Sequence, residues 1–208
     1  MTTIICFGSI HHQSAKMPAL LLYKSHTMKK ILNVATAPAS LRELMEDIHT
    51  GYYKTISALC NNILALSIEI KGFGLPYDNG YAALSERIVA ETANYIDLRT
   101  TVFLPYINML AQKDADGHNC SACSGRCELQ HSENLIDFSM QLQQFKDKIN
   151  DLVKASSKIY KRDEHYSLKP LHNKITLLYN IITELLYIEE DALLPKIAGA
   201  QRNIYAVR

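Results

Sequence analysis

The sequence predicts an all-α protein, an antiparallel four-helix bundle, on two observations. Apolar residues recur every three or four positions over four long stretches, the period of an amphipathic helix. The last stretch also repeats a feature of the second, because Val102-Phe103-Leu104-Pro105 is answered by Ala192-Leu193-Leu194-Pro195. A helical hairpin used twice accounts for both. The 208 residues are 48% apolar, enough for one sizeable core. Lys and Arg total 22 against 21 Asp and Glu, so the chain carries no basic footprint for nucleic acid. No apolar run approaches the roughly 20 residues of a membrane-spanning helix, and no membrane partner is expected.

Residues 1–39 contain no acidic side chain and no sustained period, and read as a poorly ordered N-terminal extension. The bundle is expected over 40–197. Its first helix opens at Ser40, which forms a capping box with Glu43 three residues on. Leu41, Leu44, Ile48, Tyr52, Ile56, Leu59 and Ile63 make its buried stripe, with His49 alongside, and Lys71-Gly72 ends it. Helix two runs from about Tyr81 to about Gln112 and buries Leu84, Ile88, Tyr95, Leu98 and Val102. Pro105 lacks an amide hydrogen and should kink this helix or end its regular part. Helix three takes about Glu128 to Ile159, with Leu135, Phe138, Leu142, Phe145, Ile149 and Leu152 inward. Helix four starts near Pro170, a residue suited to a first turn, and continues to about Pro195, leaving 198–208 as a tail. His165 and His172 near its start read as surface groups, and Cys60 as a small core residue.

Five cysteines are present, and three of them fall in the loop at 113–127. An odd number clustered in this way does not fit a secreted disulfide framework and points to a reducing cytoplasm. His118, Cys120, Cys123 and Cys127 offer a Cys₃His set on short spacings, which suits a tetrahedral zinc ion. The same residues fit an iron–sulfur cluster, a reversible Cys120/Cys123 dithiol, or three reduced thiols in a loop. Elsewhere no phosphate-binding glycine loop follows a strand, and Ser57 and Ser85 have no evident base, so an enzyme is not the expected reading.

The paired hairpin, a histidine in each of helices one and three, and carboxylate-rich segments before Leu-Pro resemble the hemerythrin-like, HHE cation-binding family. In pattern the chain is similar to di-iron proteins linked to iron–sulfur cluster repair. That resemblance implies ligands at His49 and His131, and a His followed four residues later by a Glu on each of helices two and four. Here those four positions hold Tyr95, Arg99, Leu185 and Glu189. Leu binds no metal and Arg brings a cation where a di-iron site needs an anion. What remains is a single-metal set of His49, His131 and Glu189, with iron as the cation and Tyr95 as a weak addition, or two histidines hydrogen-bonded in the core. Arg99 and Glu189 should face each other across the bundle, the guanidinium standing in for the metal; otherwise Arg99 points outward beside Asp97. The expected function is a metal-binding, metal- or redox-sensing protein with a degenerate di-iron site. An active iron protein in oxygen, nitric oxide or iron–sulfur stress response and a metal-free interaction module are the alternatives.

Overall fold

The structure, a computed structural model, describes residues 40–72, 78–120, 126–162 and 166–205. The expected extension at 1–39, Cys123, His165 and the side chain of Cys127 lie outside the described residues. Among the described residues all regular structure is helical. Helix α1 covers 41–72, α2 covers 78–115, α3 is Arg126–Arg162, and α4 covers 169–205 after a 3₁₀ turn at Tyr166–Leu168. The helices pack in a ring, α1 against α2 and α4, and α3 against the same two. No helix among the described residues is long and apolar enough to cross a membrane.

Helix α1 begins as its sequence dictates. The Ser40 hydroxyl accepts from the Glu43 amide at 3.2 Å, and the Glu43 carboxylate accepts from the Ser40 amide at 2.8 Å. Two amides of the first turn are thereby satisfied. At the start of α4, Pro170 occupies the first turn as expected, where its missing amide hydrogen has no partner to lose.

Helix α2 runs on past Pro105 as expected, whereas α4 does not stop at Pro195, its expected end. Neither Pro105 nor Pro195 ends its helix: α2 continues to Ala115 and α4 to Tyr205. Each proline is preceded by a π-helical turn, Arg99–Phe103 in α2 and Glu189–Leu193 in α4. In each the amide just before the proline, Leu104 or Leu194, donates five residues back, to the carbonyl of Arg99 or Glu189. A turn widened by one residue absorbs the register change where proline interrupts the ladder, so the helix carries on. Residues 198–205 are therefore helix rather than tail, and Ile197, Ala200 and Ile204 continue the core at helical spacing.

The wide turns also change which residues face inward. The expected core residue Val102 is 47% exposed, and Phe103 next to it is buried. A third π-helical turn, Ile48–Tyr53 in α1, has the same consequence, burying Tyr53 in preference to Tyr52. An inserted residue rotates everything after it by about 100° relative to a strict α-helical pattern.

Ser40→Ala removes an acceptor that no other side chain replaces. We expect a loss of about 1 kcal/mol in urea-denaturation stability with an unchanged m-value.

Candidate functional site

Arg99 and Glu189 are the first residues of their π turns, and each stands six positions before its proline. The repeated hairpin thus brings equivalent positions together, one cationic and one anionic. Both side chains are completely enclosed, at 1% and 0% exposure, and Arg99 Nη2 lies 3.4 Å from Glu189 Oε2. The Glu189 carboxylate is held from two further sides. Tyr53 donates its hydroxyl to Oε1 at 3.0 Å, and Tyr95 donates to Oε2 in a short hydrogen bond. Arg99 Nη2 also donates to the Tyr95 oxygen at 2.8 Å and to the Phe138 carbonyl at 3.3 Å.

Aromatic faces surround the cation. The guanidinium carbon is 3.6 Å from the Phe138 ring centre, 4.5 Å from Tyr95 and 4.9 Å from Phe103, and Tyr95 itself stacks on Phe145 at 4.0 Å. Arg99 Nε and Nη1 find no hydrogen-bond acceptor in the protein, so the π faces are what these nitrogens meet in place of water. Burial works against the guanidinium charge, but the Glu189 carboxylate and the Tyr95 oxygen outweigh it and hold the Arg99 pKa above its ordinary value. Burial first, and then the Glu189 charge, push the phenols of Tyr53 and Tyr95 well above the usual tyrosine range. Both phenols are therefore neutral donors that solvate an ionised carboxylate.

These residues do not fit a dinuclear iron centre. The positions that the family resemblance assigns to two histidines and a second glutamate hold Tyr95, Leu185 and Arg99, and the guanidinium contacts the only remaining carboxylate. Glu189 spends its oxygens on Tyr53, Tyr95 and Arg99, not on a histidine. His49 sits half-buried, edge-on to Tyr53 at 6.1 Å, with Nδ1 unpartnered. His131 is buried and belongs to another cluster: its Nδ1 pairs with the Tyr106 hydroxyl at 3.2 Å, and its carbonyl accepts from Gln201 at 2.7 Å. Burial, then the charges of Lys113 and His118, lower the His131 pKa. Of the cysteine segment, His118 is half-buried and Cys120 fully buried. Among the described residues no three His, Cys, Asp or Glu side chains are grouped to hold a metal ion.

Cys60 is a core residue, its thiol pushed up to about 11 by burial and so unreactive at neutral pH. His172, expected at the surface, is partly covered. It bonds the Tyr81 hydroxyl at 2.9 Å, stacks on Tyr160 at 3.9 Å, and shares Tyr81 with Ser156. Tyr53, Tyr106 and Gln201 escaped the sequence reading. A strict α-helical period assigns Tyr52 rather than Tyr53 to the core, and Gln201 stands beyond a proline taken as a terminus. The chain matches no protein-family model, no curated protein and no solved structure.

Arg99→Met should strand the buried carboxylate and cost roughly 3–5 kcal/mol in urea denaturation. Adding Glu189→Gln removes the stranded charge and keeps an acceptor for a phenol, and should recover most of that loss. Equal destabilisation in the single and double variants would count against the pair.

The raised phenol pKa values set an alkaline limit. The stability contributed by Tyr53 and Tyr95 is complete below their ordinary value of 10.0 and is lost as pH rises through their higher folded values. Urea midpoints should therefore fall above pH 10, and fall less in a Tyr53→Phe, Tyr95→Phe variant.

Proposed function

We propose that the chain is a hemerythrin-like, antiparallel four-helix bundle that has exchanged its dinuclear centre for an internal ion pair. On this reading metal is bound by the cysteine segment, through His118, Cys120, Cys123 and Cys127, with zinc as the cation. The role is non-catalytic metal or redox sensing in the cytoplasm. The observation that carries it is the Arg99–Glu189 contact, a fixed cation on the carboxylate that iron would need. The antiparallel arrangement is supported by the start of α1 packing beside the end of α2, and by Ser156, late in α3, bonding Tyr81, early in α2. The cysteine segment offers its donors on short spacings that suit a tetrahedral ion.

Elemental analysis of the full chain, purified under anaerobic reducing conditions, tests the proposal. We expect about one zinc per chain, lost when Cys120, Cys123 and Cys127 are changed to Ser, as for a structural thiolate site. Iron in dinuclear amounts that survives those changes, with a visible absorption band, would establish an active iron protein instead. Absence of any stoichiometric metal would leave the interaction module.

A further inference from the structure

We infer that the outward face of α3 is an interaction surface for a second copy of the chain, packed antiparallel so that the acidic end of one face meets the basic end of the other. The surface owes nothing to the cysteine segment or its metal.

Helix α3 differs from its three neighbours in carrying no π turn along Arg126–Arg162. Its period is therefore strict, and a stripe on its surface keeps one direction along its length. The inward stripe is Phe138, Leu142, Phe145, Ile149 and Leu152. Two features set the outward stripe apart. Ile136 and Met140, one turn from each other, are apolar and yet stand 57% and 52% exposed. Charge is also segregated: Glu133 and Asp137 lie towards one end and Lys154 and Lys158 towards the other, all four exposed. Within a single chain this arrangement is unfavourable. Glu133 with Asp137, and Lys154 with Lys158, are like charges four residues apart on a helix, the spacing at which they repel. Among the described residues none of the four enters an ion pair, whereas Lys146 and Lys148 of the same helix pair with Glu190 and Glu91.

The spacing of the charges points to what neutralises them. Glu133 and Lys158 lie at equal distances from the point midway between Phe145 and Lys146, and so do Asp137 and Lys154. A two-fold axis beside that point brings both acids of one copy level with both lysines of the other, over a contact about 38 Å long. The same axis sets Ile136 level with Ala155, where the methylene stems of Lys154 and Lys158 cover the exposed apolar pair. Parallel pairing would set acid on acid and lysine on lysine, so charge also fixes direction. A formal net charge of +1 offers little general repulsion between copies. One helix face makes a small and largely polar interface, so the dimer is weak, with a Kd on the order of micromolar.

The test is sedimentation equilibrium of the full reduced chain, run with and without a metal chelator, with helical circular dichroism to verify folding. Glu133→Lys with Asp137→Lys leaves both ends of the face basic, and Lys154→Glu with Lys158→Glu leaves both acidic. We expect each variant alone to lose about tenfold or more in self-association, and the two mixed in equal amounts to associate with each other. Ile136→Ser with Met140→Ser should weaken the parent dimer about threefold or more. Raising salt from about 0.01 M to about 1 M shortens the screening length from about 30 Å to about 3 Å and should weaken it about tenfold.

A parent that stays monomeric up to about 1 mM overturns the inference. So does a dimer indifferent to both charge reversals, which uses another surface, and so does one that chelator dissolves, which uses a bridging metal. Where a charge-reversed variant does not fold, the parent's salt dependence and the Ile136→Ser, Met140→Ser variant decide, and a dimer that neither weakens overturns the assignment.

Discussion

The buried contact between Arg99 and Glu189 constrains the rest of the bundle. Removing both charges from water costs several kcal/mol per ion, and their mutual attraction offsets this only when the remaining donors and acceptors are satisfied. The surroundings meet that condition unevenly. Every oxygen of Glu189 has a phenol, whereas Arg99 has one nitrogen bonded and two facing aromatic rings. The interior is therefore built around the cation, and Tyr53, Tyr95, Phe103 and Phe138 are best understood as its solvent. A slip of α4 against α2 would separate the charges, so the pair also specifies helix register.

The wide turns make that pair geometrically available. The extra residue accommodated at Arg99–Phe103 and Glu189–Leu193 turns both charged side chains inward and lets both helices survive their prolines. Helix α1 carries a wide turn at the same level, and through it Tyr53 reaches Glu189. Local backbone irregularity and the placement of buried charge are one feature of this fold, not two.

Polar chemistry is distributed along the bundle in three layers. The middle holds the ion pair. One end holds Tyr81, Ser156 and His172, a hydrogen-bonded group with its ring face covered by Tyr160. The other end holds His131 with Tyr106 and Gln201, contributed by the two helical segments that follow the prolines. His118 lies near enough to this last end for its charge to act on the His131 ring.

Much of this was legible in the amino-acid order alone. Apolar period, the Ser40–Glu43 box and the first-turn Pro170 are local properties, and local rules predict helices from them. The pairing of Arg99 with Glu189 was also legible, because an internal repeat maps one position onto the other. What only the tertiary structure decided depends on turns that no residue type announces. A π turn is stabilised by the packing it permits, so Tyr53 in place of Tyr52, Phe103 in place of Val102, and helix through Tyr205 beyond Pro195 could not be read from periodicity. The same holds for His131. Its sequence position fits a bundle ligand, but residues 25 and 70 positions away along the chain fix its ring and backbone. Hydrogen bonds between distant segments exist only once the core has closed around them, and for that reason the chain's pattern names the helices while the fold assigns their side chains.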